Sequence, residues 1–187
     1  MPSPLKERKV ALEDEFFRKK DAEQLDELKK HLNIDERRDA LAKATGMDDE
    51  GLLDRLVELG ISGETVVALS LVPLIKVAWA DGEIQLNERD AIMQGAAGKG
   101  IEKDTPAYDM LREWLDEKPD ASLFEAWTSY VQTLCAEMTG EQTKILKEQI
   151  TLFAKMVADS AGGFLGIKRI AKSEDEALAE IAAAFDS

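Results

Sequence analysis

The sequence predicts an all-α protein, a helical bundle of about nine helices with an internal pseudo-repeat. Three observations carry that expectation. Ala, Leu, Glu and Lys, the residues with the strongest helix propensities, dominate the chain. Apolar side chains recur every three or four positions, the spacing of one helix face. Cap residues and glycines punctuate these periodic runs, and no stretch alternates with the period of a strand.

The elements follow in order. A first helix is expected over about residues 5–17, and Asp21 with Gln24 forms a capping box for a second, carrying Leu25, Leu28 and Leu32 on one face. Asp35 opens a helix closed by Gly46, and Asp48 opens another closed by Gly60. Residues 1–62 thus read as a helical appendage, and residues 63–187 as the bundle. Ser62 caps the next helix, whose sequence TVVALSLVPLIKVAWAD is apolar nearly all round and has to be enclosed by others. Pro73 falls in its interior and is expected to kink it. Asn87 caps a helix to about Ala97, ended by Gly98 and Gly100. Thr105-Pro106 starts one through Trp114 and Leu115, with proline at the first helical position. A long helix carries Leu123, Phe124, Trp127 and Val131. Another follows Thr139-Gly140 and reaches Asp159, and Ser173 with Glu176 forms a capping box for the last.

A chain of 187 residues is long enough for one well-buried core with a small appendage. Its net charge of −14 divides into −4 over residues 1–62 and −10 over residues 63–187. Such a field repels phosphate backbones and anionic lipid, which excludes nucleic acid and membrane surfaces as first candidates for partners. Cys135 is the only cysteine, so neither an intrachain disulfide nor a thiolate zinc site is available. The N-terminus MPSPLKERKVALEDEFF lacks the apolar core of a signal peptide. The most apolar run, Val66 to Ala80, is interrupted by Ser70, Pro73 and Lys76. A cytoplasmic protein without membrane insertion is expected.

One pattern occurs twice. Ala80-Asp81 ends a helix and Asn87-Glu88 starts the next; Ala158-Asp159 ends a helix and Ser173-Glu174 starts the last. Glu88 and Glu174 fall in a first helical turn, where free amides and the helix dipole favour negative charge. Asp81 and Asp159 fall at helix C-termini, where an anion is disfavoured by roughly 0.3–1 kcal/mol. A bound cation would compensate, and so would an ion pair to Lys76, Arg89 or Lys155. A standard calcium loop is excluded: with Glu88 in the twelfth position, Val77 and Trp79 occupy the first and third, and neither ligates through its side chain. What remains is half a coordination sphere, formed by Asp81, the carbonyl near Glu83, and Glu88, with the second copy as the donor of further ligands. Helix punctuation and a divalent cation site are both open at this point.

The segments VAWADGEIQLNERDAI and ADSAGGFLGI with SEDEAL resemble the two halves of the TerB-like domain, the all-helical domain named for tellurite-resistance proteins. The resemblance covers roughly residues 63–187. It implies a helical bundle with internal pseudo-symmetry, an acidic cluster holding a divalent cation (Ca²⁺, Mg²⁺ or Mn²⁺), a role in metal or chemical stress, and action through protein partners. Carried over, the acidic positions are Asp81 and Glu88 in the first half and Asp159 and Glu174 in the second. The insert SAGGFLGIKRIAK departs from the compact pattern of the family's second half.

Other candidates read more simply. His31 is the sole histidine, so the Glu-x-x-His pairs of a diiron bundle are absent. Cys135 lies between apolar residues with no histidine nearby in sequence, as a small core residue does. Trp79, Trp114 and Trp127 read as core. GGFLG lacks the Lys-Ser/Thr of a phosphate loop, and Lys168, Arg169 and Lys172 form a short basic patch. The expected function is that of a non-enzymatic TerB-like helical protein with an acidic cation site. The alternatives are a pure interaction adaptor whose carboxylates only cap helices, and a metal-dependent hydrolase.

Overall fold

The computed structural model describes residues 33–161 and 171–186. All regular structure among these residues is helical. Helix α1 is described over residues 33–45 and is followed by α2 (Glu50–Glu58), a 3-10 segment (Val66–Leu71), α3 (Val72–Ala78) and α4 (Leu86–Gly98). Then come α5 (Pro106–Asp116), α6 (Ala121–Ala136), α7 (Gly140–Ala161) and α8 (Lys172–Ala183). The two helices expected before residue 33, His31, the GGFLG stretch, Lys168 and Arg169 lie outside the described residues.

Local chemistry sets most of the boundaries. Gly46 and Gly60 follow α1 and α2 with φ of +74° and +79°, a left-handed conformation that glycine adopts without a Cβ clash. Thr105 caps α5 by accepting from the Tyr108 amide, with Pro106 next in the chain, as the sequence predicts. Helix α2 is capped by Asp49 rather than Asp48, through the Leu52 amide at 3.0 Å. Ser62 does not cap a long helix. Its amide donates to Thr65 Oγ1 in a turn that leads into the 3-10 segment.

The expected kink at Pro73 does not occur, because Pro73 is not in a helix interior. The apolar run divides into the 3-10 segment and α3, and Pro73 lies in the first turn of α3. Amides there have no intrahelical acceptor, so the missing N–H costs nothing.

The run is nonetheless enclosed. Val72 and Val77 face one core cluster, whereas Leu74, Ile75 and Ala78 face a second with Ile92 and Leu111. The first cluster centres on Trp127, 1% exposed, which stacks on Phe124 at 5.1 Å between ring centroids and meets Phe185 edge-on. Leu41, Leu56 and Ile61 belong to that same cluster, so the described part of residues 1–62 shares a core with Trp127 and Ile181. The Trp79 indole N–H donates to the Trp114 carbonyl at 2.8 Å, tying the end of α3 to α5. Helix α7 packs on α3, α4 and α8, and α3 also packs on α8. The pair α3/α4 and the pair α7/α8 therefore lie against each other.

Candidate functional site

The buried stripe of α4 is Glu88, Ile92 and Ala96; that of α8 is Glu174, Ala177 and Ile181. Each glutamate is the first member of an otherwise apolar stripe. Helical spacing therefore turns both carboxyls toward the core, and they are 2% and 5% exposed. They are buried by the same periodicity that buries Ile92 and Ile181.

Each has one backbone partner. Glu88 Oε2 accepts from the Gln85 amide at 2.8 Å, and Glu174 Oε2 from the Ala171 amide at 2.5 Å. The N-caps are thus Gln85 and Ala171, not Asn87 and Ser173, and the partner of the last cap is Glu174 rather than Glu176. Both helices begin two residues earlier than the sequence predicts, because a glutamate at the third helical position satisfies the cap amide from within the helix. Ala171 has no side-chain acceptor, so only this half of a capping box exists in α8. Asn87, released from capping, donates from Nδ2 to the Ser160 carbonyl at 3.4 Å and so joins the start of α4 to the end of α7. Glu176 pairs instead with Lys172 at 3.6 Å.

Asp81 lies exposed in the turn after α3, and its Oδ1 accepts the Glu83 amide at 3.2 Å. Glu83 contributes this backbone N–H, while its side chain is exposed. Gly82 between them holds φ at +97°. Asp159 is half-buried in the last turn of α7.

The electrostatics bring the two halves together. Burial pushes the Glu88 carboxyl up to about 7, against the pull of the Gln85 hydrogen bond, and the negative charges of Glu174 and Asp81 add to the rise. Burial likewise raises Glu174, with Ala171 opposing and Asp81, Asp175 and Asp159 reinforcing. Glu174 thus shares one field with Glu88 and Asp81, 86 and 93 residues earlier in the sequence. Glu88, Glu174, Asp81 and Asp159 are the four that the sequence singles out.

Of the three cations offered by the sequence as partners for the aspartates, Lys76 and Arg89 are engaged elsewhere, and Lys155 is exposed and makes no ion pair among the described residues. Lys76 pairs with Glu180 at 2.7 Å and stands 3.9 Å from the centroid of the Phe124 ring. Arg89 pairs with Asp116 and donates to the Leu115 carbonyl. Among the described residues no Lys or Arg makes an ion pair with any of the four carboxylates. The end of α3 is served instead by Lys118, which the sequence did not flag and whose Nζ donates to the Trp79 carbonyl at 3.3 Å. Lys118 also borders a cleft of about 330 Å³ between α3, the start of α6 and α8, whose lining includes Trp79, Phe124 and Ala177.

The donor set is all oxygen, which suits hard cations such as Ca²⁺, Mg²⁺ and Mn²⁺. The side chains as placed do not converge on one point: among the described residues no group of three or more His, Cys, Asp or Glu has the arrangement that holds a metal ion. Among them, also, no helix is long and apolar enough to cross a membrane. Comparison with protein-family models, with curated proteins and with solved structures finds no match.

Proposed function

We propose that the chain is a non-enzymatic, TerB-like helical protein whose two helix pairs are joined by a divalent cation at the carboxylates of Asp81, Glu88, Asp159 and Glu174. Its output is to protein partners in metal or chemical stress. The pseudo-repeat, in this reading, supplies two ligands from each pair. The observation that carries the proposal is the burial of Glu88 and Glu174 within one negative field with no Lys or Arg paired to them among the described residues. A buried anion without a paired cation is costly, and a divalent ion removes that cost. Asp81, exposed in its turn, and Asp159, half-buried, are the members with room to swing toward an ion.

The adaptor reading has its own support. Both buried glutamates already bond a backbone amide, and the four carboxylates do not converge. Calorimetric titration of Ca²⁺, Mg²⁺ and Mn²⁺ into chelator-treated protein separates the two. Cation binding predicts saturable heat for at least one ion, with proton release at pH 7 as Glu88 ionises, and loss of both in the Asp81→Asn/Asp159→Asn variant. Absence of heat together with an unchanged melting temperature assigns the carboxylates to capping alone.

A further inference from the structure

Helix α7 carries a second pattern on its outward side. Ile145, Leu152 and Met156 are 49%, 59% and 56% exposed, and with exposed Gln149 they fall at intervals of four, three and four residues. That is the spacing of a coiled-coil seam, with Gln149 and Met156 in one class of core position and Ile145 and Leu152 in the other. The opposite side of the same helix is fully buried at Ala154 and ties Lys147 to Asp186, which fixes the seam's outward direction. Scattered exposed apolar residues are ordinary, but a register of this kind on one helix is not scatter.

We propose that this face of α7 is the self-association surface of the protein, and that its occupant is α7 of a second copy, packed antiparallel about a two-fold axis between Gln149 and Leu152. Charge selects the orientation. Glu148 and Lys155 lie seven residues apart on one flank of the seam, and both are exposed. Antiparallel helices place like flanks together, so Glu148 of each copy faces Lys155 of the other, and one residue pair gives two interchain ion pairs. The same register sets Phe153, 47% exposed on the other flank, across from Leu146. Parallel packing sets Glu148 beside Phe153 and leaves Lys155 without an acid. Within the free chain Glu148 has only a long contact to Lys144, at 3.9 Å, and Lys155 has no ion pair among the described residues.

The area sets the strength. Four large side chains, each about half exposed, amount to at most roughly 400 Å² per copy if each is given the ~200 Å² of an aromatic one. The total of roughly 800 Å² falls short of the ~1,200–2,000 Å² of a standard stable interface. The dimer is accordingly a weak one, in exchange with the monomer. It does not depend on the cation proposal, since none of the four carboxylates belongs to the seam.

Sedimentation velocity of the full chain, from low to high micromolar concentration, tests it. The expected result is a shift from monomer to dimer, abolished by Leu152→Asp with an unchanged circular dichroism spectrum. Glu148→Lys and Lys155→Glu, each of which turns two attractive pairs into repulsive ones, are each expected to weaken the dimer about ten-fold. The double swap Glu148→Lys/Lys155→Glu is expected to restore it to within about three-fold. A monomer at every concentration overturns the proposal. So does a dimer indifferent to Leu152→Asp, or a double swap no better than the single ones.

Discussion

Replacing Glu88 by Gln isolates the charge of the buried carboxyl while keeping an acceptor for the Gln85 amide. The ordinary value of this group is 4.5 and the folded value is about 7. A group whose pKa is raised on folding contributes stability that is fully present below the unfolded value and lost as pH rises through the folded one. Below about pH 4.5 the carboxyl is neutral in both states, and wild type and variant should have the same stability. Between pH 4.5 and 7 the unfolded chain ionises while the folded chain keeps its proton, so the wild type loses stability relative to the variant. Above pH 7 the gap is constant. A difference of about 2.5 units at 1.36 kcal/mol each gives about 3 kcal/mol as an upper figure. For a chain of this size that is roughly 6–12 °C in Tm. The assay is thermal or urea unfolding of both proteins, free of divalent ions, at half-unit steps from pH 4.5 to 8. Curves that run parallel across the whole range would refute the claim that burial within a shared negative field perturbs Glu88.

Further outcomes are expected elsewhere. Gly82→Ala places a Cβ at φ +97°, where nothing lies within 4 Å, so backbone strain alone should cost about 1–2 kcal/mol in urea unfolding; no loss would show that the turn relaxes. Trp127→Ala removes the centre of the larger cluster and should cost about 3–5 kcal/mol, read as a Tm lowered by roughly 6–20 °C in thermal unfolding followed by circular dichroism. Thr105→Ala deletes the α5 cap and should cost about 1 kcal/mol, with Thr105→Ser retaining most of it.

Features whose cause is local were legible in the sequence. Gly46 and Gly60 end helices because only the backbone after a helix decides the matter, and Thr105-Pro106 starts one for the same reason. The all-helical class was also legible. What failed were inferences about polar residues with two available roles. Residue type alone favours Asn87 and Ser173 as caps. The deciding factor was a competitor one position later, since Glu88 and Glu174 reach back to the cap amide and let the helix extend past both. The position of Pro73 in a first turn is hidden for a related reason: an apolar run contains no signal of where a 3-10 segment hands over to an α-helix. The burial of the two glutamates could have been read. Glu88, Ile92 and Ala96, like Glu174, Ala177 and Ile181, are spaced as one helix face, and extending the apolar stripe by one turn toward the N-terminus reaches the carboxylate in each case.

That burial bears on which reading of the site is physically sufficient. A glutamate that bonds its own N-cap amide returns roughly 1 kcal/mol, and it can do so from the protein surface with the carboxylate hydrated. Holding Glu88 ionised at neutral pH in the packed interior, beside Glu174 and Asp81, costs up to about 3 kcal/mol. Capping alone therefore accounts for a carboxylate at the third position of α4 but not for its placement on the buried face against a second one. Two ways of lowering the cost exist. At pH 7 and below, a proton on Glu88 does so, leaving the cluster one charge less negative. A divalent ion does so by displacing that proton. The two are in competition, so the cation affinity that calorimetry reads should fall about ten-fold for each pH unit below 7, where binding must expel the Glu88 proton, and level off above it. An affinity independent of pH between 5 and 8 would place the ion at the aspartates alone and leave the buried glutamates to the helices.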